Sequence, residues 1–150
     1  MGLSLLKFRE KWKGRRCSGY TDKGGQCIDI VREWLRNRFG NPYHGIPSVG
    51  AASQMYARAS TTKWRKVPYR RHADGWWKGP DGRPFRPPNG SILVYAGHEG
   101  NIYGHVAIVR RSPDGHNSET FDQNWSRYQR CTDEIHRHAR DRVIGCLIPR

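Results

Sequence analysis

No run of this 150-residue chain approaches the roughly 18 apolar residues of a membrane-spanning helix. Carboxylates are scarce as well. Thirteen Asp and Glu stand against 27 Lys and Arg, for a formal net charge of +14 and a sequence pI near 10.2. Such a field steers a protein toward polyanions, whether nucleic acid, anionic lipid or the polymers of a bacterial envelope. The segment Met1-Gly2-Leu3-Ser4-Leu5-Leu6-Lys7 has too few apolar residues for a signal peptide, and Leu6 lacks the hydroxyl that a myristoylation signal prefers. Synthesis in the cytosol is the expectation. The four cysteines, at 17, 27, 131 and 146, form no CxxC pair, and His136 and His138 stand apart from any cysteine pair, so no zinc signature is present. In a reducing compartment these thiols are expected to be free. Internal repeats and low-complexity segments are also missing. What is present is 35% hydrophobic residues with six Trp and seven Tyr, too aromatic for a disordered chain and sufficient for one domain over residues 1–150.

The spacing of Leu5, Phe8 and Trp12 among basic residues predicts a short amphipathic helix, suited to docking on its own domain or to a membrane surface. A glycine-containing loop over 14–25 follows. The strongest helix is expected over 26–39, with Cys27, Ile30, Val31, Trp34 and Leu35 on one face and Gly40-Asn41-Pro42 at its end. Another helix is expected over 49–59, with Ala52, Met55, Tyr56 and Ala59 sharing a face. Residues 61–89, rich in Pro and Gly among Trp64, Tyr69, Trp76, Trp77 and Phe85, read as a long loop pinned by aromatics. Strands are expected over 91–96, 105–111, 119–125 and 142–148. Helices first and an antiparallel sheet afterwards give an α+β architecture.

Cys27 follows Gly24-Gly25-Gln26 and opens the strongest helix, where free N–H groups and the positive dipole end favour a thiolate. A nucleophilic cysteine needs a base. His105, after Gly104 and before Val106-Ala107-Ile108-Val109, is the histidine set most deeply in an apolar strand. Alternation places it with Ala107 and Val109, on a face small enough to receive a helix. Two residues could orient the imidazole, Asp122 and Asn124, which alternation puts on one face of Phe121-Asp122-Gln123-Asn124-Trp125. Each feature also has a plain structural reading: a buried thiol, a solvated histidine, a polar pair facing water.

Taken in order, four segments resemble the CHAP domain of phage lysins. They are Gln26-Cys27-Ile28-Asp29, Pro88-Asn89-Gly90-Ser91-Ile92-Leu93-Val94, Gly104-His105-Val106-Ala107-Ile108-Val109 and Asp122-Gln123-Asn124-Trp125, with Lys11-Trp12-Lys13-Gly14 as a lead-in. The resemblance implies a papain-like fold, N-terminal helices on an antiparallel sheet; no second, wall-binding module is visible beside it, so a separate wall-binding domain is not expected. It implies a peptidoglycan hydrolase, amidase or endopeptidase, acting through a cysteine acyl-enzyme. Cys27 would be the nucleophile, His105 the base, Asp122 or Asn124 its partner, and the Cys27 N–H with Gln26 the oxyanion site. Several relatives bind calcium through an acidic loop before the cysteine and an Asp two residues after it. Asp29 is present, but Ser18 and Tyr20 stand where acids would be expected, so neither metal nor cofactor is expected and Asp29 reads as a local hydrogen-bonding residue. The expected setting is a monomer made in the host cytoplasm, released by a separate membrane-permeabilising protein and held to the wall by its basic surface. Two alternatives share parts of this evidence: a basic nucleic-acid-binding protein, and a thiol acyltransferase or protease on the same fold.

Overall fold

A computed structural model of the chain describes residues 2–138 and 141–150, so Met1 of the N-terminal segment lies outside it. Among the described residues three α-helices, α1 (Leu5–Trp12), α2 (Cys27–Phe39) and α3 (Gln54–Arg58), precede all of the strands. A six-stranded antiparallel sheet is built from β1 (Trp64–Pro68), β4 (Ile92–Tyr95), β5 (His105–Arg111), β6 (Asn117–Gln123), β7 (Cys131–Arg137) and β8 (Val143–Pro149), in the order β1-β8-β4-β5-β6-β7. The two-residue strands β2 (Arg70–Arg71) and β3 (Trp77–Lys78) make a separate ribbon. The expected α+β layering is what the chain adopts. Among the described residues no helix is long and apolar enough to cross a membrane.

Each face of the sheet carries its own apolar cluster. On one, Ile30, Val31, Trp34 and Leu35 of α2 pack with Val106, Ile108, Phe121 and Leu147. α1 joins this layer through Phe8, whose ring meets Trp34 edge-on at 5.1 Å, so the basic amphipathic helix docks on its own domain. On the other face Leu93, Tyr95, Ala107, Val109 and Val143 pack with Val67 and Tyr69. Burying a Leu, Ile or Phe side chain contributes roughly 1.5–3 kcal/mol, so both layers matter to stability. The helix therefore lies against Val106 and Ile108, not against the Ala107 and Val109 face that alternation suggested for it. Large residues, not small ones, line that contact, because α2 meets the sheet through interlocking side chains.

The 61–89 stretch departs from a plain loop. Trp64 and Val67 are buried, and β1 pairs with β8 at the sheet margin, where Pro68 is tolerated because an edge strand need not donate on both sides. The second expected helix shrinks to α3, five residues long, although Ala52, Met55 and Ala59 are buried as its apolar pattern required. α3 lies close over β8, where a Cβ on Gly145 would stand 2.1 Å from the Tyr56 ring. Strand β7 had no counterpart in the sequence reading. The loop after α2 is held by Arg32, a buried side chain that donates to the carbonyls of Ile46 at 2.6 Å and Pro47 at 2.7 Å.

Candidate functional site

The loop over 17–25 and the start of α2 are organised by two side chains. Asp29, fully buried, accepts four hydrogen bonds. Oδ1 takes the Tyr20 N–H at 2.9 Å and the Thr21 N–H at 3.0 Å, and Oδ2 takes the Thr21 hydroxyl at 2.6 Å and the Gln26 N–H at 2.9 Å. It thus folds the loop back onto the helix start and caps one of its N–H groups. The other clamp is Gln123, also fully buried. Its Oε1 accepts from the Cys17 N–H at 2.6 Å, and its Nε2 donates to the carbonyls of Cys17 at 2.9 Å and Gln26 at 2.7 Å. Between them these residues fix the backbone on both sides of Cys27. A calcium ion does not fit this arrangement, since N–H and O–H donors converge on Asp29 where a cation would require oxygen lone pairs.

Cys27 is partly exposed at the first position of α2, so its N–H has no acceptor within the helix. His105, the first residue of β5, is 3% exposed and reaches Cys27 around the strand end. Gly104 sets that turn. Its φ is +71°, and a Cβ there would stand 2.3 Å from the Tyr95 carbonyl oxygen. The imidazole Nε2 lies 2.7 Å from Asp122 Oδ2, which leaves Nδ1 for the thiol. Burial works against the imidazolium, but the Cys27 sulfur and the Asp122 carboxylate outweigh it and hold its pKa up to about 10. Burial likewise opposes the Asp122 anion, yet His136 and His105 hold its carboxyl well below the usual range. The indole of Trp125 covers the imidazole at 4.7 Å between ring centres.

Of the residues singled out in the sequence, the structure thus brings Cys27, His105 and Asp122 together. Asn124 stands elsewhere, with Nδ2 donating to Gln26 Oε1 at 3.1 Å and Oδ1 accepting the Gln129 N–H at 3.1 Å. Alternation placed Asp122 and Asn124 on one face, but β6 ends at Gln123 and Asn124 turns at φ 62°, which sends Trp125 instead to the imidazole side. Gln26 immediately precedes Cys27 at the start of α2, and its amide oxygen is taken up by Asn124. One N–H of its amide is held by the Gly24 carbonyl at 3.1 Å.

The sequence reading missed Gln123 and His136. His136 of β7 is fully buried, and its Nε2 lies 2.7 Å from the same Asp122 oxygen that His105 contacts. The available signal was its place two residues from His138 in a stretch of alternating side chains. Among the described residues, His105, Asp122 and His136 form a group of potential ligands within 4.8 Å of one another. Their contacts run from N–H donors to one carboxylate oxygen, so a metal here would displace the protons that organise the base. The remaining thiols are chemically quiet, since burial pushes Cys17, Cys131 and Cys146 up to about 12.

Residues 17–124 match the family model described as the CHAP domain. The structure resembles that of Ly7917, with a TM-score of 0.66 at 18% identity, covering 97% of this chain. It also resembles Ly7917 "with the hydrolyzing product of MDP", with a TM-score of 0.67 at 19% identity and 97% coverage. A wild-type endolysin, LysIME-EF1, superposes with a TM-score of 0.64 at 17% identity over 96% of the chain. At these identities the likeness is one of fold. The chain spans 60% of the length of Ly7917 and 62% of that of LysIME-EF1.

Proposed function

The chain belongs to the CHAP-domain family, and from that premise we propose that it hydrolyses an amide bond of bacterial peptidoglycan through a cysteine acyl-enzyme. The observation that carries this reading is the row Cys27–His105–Asp122, a partly exposed thiol at a helix start with a buried base and a buried orienting carboxylate behind it. His105 Nδ1 takes the thiol proton and the sulfur attacks the carbonyl carbon, forming a C–S bond. The Cys27 N–H, at the positive end of α2, faces the developing oxyanion. The imidazolium then gives its proton to the leaving amine as the C–N bond breaks. Water, deprotonated by His105, attacks the thioester and releases the acid with the thiol restored. None of these steps draws on a cofactor.

The reading extends to a lysin of the phage type, monomeric, made in the host cytoplasm and reaching the wall after a separate protein opens the membrane. Two facts support it: a likeness to the named endolysin, and a charge of +14 that would hold the enzyme to anionic envelope polymers. The test is product analysis of purified peptidoglycan digested by the wild type and by Cys27→Ala. New amine and acid termini from the wild type alone identify the reaction, and their position tells amidase from endopeptidase. Equal release by Cys27→Ala, or intact walls beside strong DNA retention, would overturn it.

A further inference from the structure

Among the described residues, His136 is the one side chain that shares an acceptor with the base. Its Nε2 and that of His105 both lie 2.7 Å from Asp122 Oδ2, while Asp122 Oδ1 is buried without a hydrogen-bond partner among the described residues. On the far side of the ring, His136 Nδ1 lies 3.3 Å from Asp141 Oδ2. The imidazole is sealed by Tyr95 at 4.7 Å and Trp125 at 4.6 Å between ring centres, the same two rings that pack on His105. A neutral imidazole can donate through one nitrogen only. Donating to Asp122, it would turn a lone pair toward the Asp141 carboxylate. Two carboxylates at opposite nitrogens therefore suit the doubly protonated ring.

The groups that face His136 from the neighbouring elements are Asp122 on β6, His105 on β5, Tyr95 on β4 and Asp141 in the turn before β8. Burial and the charge of His105 oppose its protonation, and the two carboxylates outweigh them, so its pKa is raised. Burial pushes the Tyr95 hydroxyl far up, so it remains a neutral neighbour.

We propose that His136 is a positioning residue that pins Asp122 Oδ2 against His105, making the working unit a row of five groups, Cys27–His105–Asp122–His136–Asp141. The proposal rests on Cys27 and His105 being the reacting pair. Without His136, the Asp122 carboxylate is free to turn about its last bond and offer His105 either oxygen or neither. With it, one oxygen is held, and the imidazole acquires a fixed direction and a fixed tautomer.

Two substitutions of like polarity separate positioning from filling space. His136→Gln carries its amide N–H close to the Nε2 position and keeps the donor to Asp122, whereas His136→Asn reaches only the Nδ1 side, facing Asp141. Iodoacetamide reports on Cys27 selectively, because the other three thiols are buried and held as thiols. Alkylation is followed from pH 5 to 9 for the wild type, both variants and His105→Ala, with melting temperatures and with kcat and KM on purified walls. His136→Gln should stay within about threefold of the wild type in both assays, while His136→Asn should lose about 10- to 100-fold in kcat and in alkylation near neutrality, KM unchanged. Equal rates for the two variants, both folded, would overturn the proposal. If His136→Asn does not fold, Asp141→Asn probes the row from its far end. Severalfold slower alkylation supports the proposal and the wild-type rate overturns it. Wild-type alkylation no faster than that of His105→Ala would instead reject the reacting pair itself.

Discussion

Replacing Asp122 by Asn keeps the shape of the side chain and removes its charge, which isolates the electrostatic part of the site. The Asn oxygen can take the place of Oδ2 and still accept from His105 and His136. Its NH2 falls where Oδ1 has no partner, leaving a buried donor unsatisfied at a cost of about 1–3 kcal/mol of stability. The larger effect is on the ion pair. His105 Nε2 and Asp122 Oδ2 are 2.7 Å apart, with the centres of charge on the order of 4 Å apart. At an effective dielectric near 20, that separation corresponds to about 4 kcal/mol. About 4 kcal/mol is about three units of imidazole pKa, so losing that attraction lowers the imidazolium population, and with it turnover, by up to about 10³-fold at the alkaline end of the range. The pH dependence has a definite sign. The imidazolium is held up to about 10 in the wild type, so proton donation to the leaving amine persists until the pH nears that value. In Asp122→Asn the pKa falls, with the Cys27 sulfur still holding part of the rise, and the alkaline limb of kcat/KM moves down with it. The stability that the raised His105 pKa contributes is complete below about pH 6.5 and lost as the pH rises through about 10, a dependence that should be weaker in the variant. Steady-state rates on walls from pH 5 to 10.5, with melting curves at each pH, measure all three effects. A folded Asp122→Asn protein with more than a tenth of wild-type kcat and an unmoved alkaline limb would refute the reasoning.

Asp29→Ala removes the acceptor of four hydrogen bonds and should lower both melting temperature and activity; EDTA should leave the wild type unchanged in both, and a calcium-reversible loss would show that the loop binds the ion after all. Cys146→Ser, a hydroxyl in a fully buried apolar position, should cost about 1–3 kcal/mol in denaturant unfolding yet retain turnover, and loss of kcat without loss of stability would give that thiol a role. Lysis of whole walls should fall steeply as salt rises toward 0.15 M, where screening acts over about 8 Å, while cleavage of a short neutral muropeptide should hardly change. Equal salt sensitivity on both substrates would reject wall attraction by the basic surface.

The elements most legible in the sequence were those whose pattern is set locally. The apolar positions of α2 recur at helical spacing, and β5 is a run of branched residues, so its bounds at His105 and Arg111 could be read directly. β7 was not legible, because Cys131-Thr132-Asp133-Glu134-Ile135-His136-Arg137 looks polar until Asp133 is seen paired with Arg9 and His136 with Asp122. These partners are more than a hundred and more than a dozen residues distant, respectively. β1 was obscured by the prolines around it, whereas its place is decided by pairing with β8. At the site, Cys27, His105 and Asp122 could be named as residue types in order. The part played by Gln123 could not, since a glutamine on a strand gives no sign that it will clamp a loop 106 residues away. Nor could the turn at Asn124, where one residue in the left-handed region exchanges the two sides of everything after it.

Cys27 rides on the helix layer, and His105 belongs with the residues on the opposite side of the sheet. The span between sulfur and nitrogen is therefore fixed by the thickness of the packing between α2 and the strands, where Ile30, Val31, Val106 and Ile108 meet. That core has a length to keep as well as a volume to fill. A displacement of about 1 Å between reacting groups can cost a hundredfold in rate, whereas one lost methylene costs only about 1 kcal/mol of stability. The interior behind the site thus acts as a spacer gauge, and its wear should be visible in turnover well before the domain loosens.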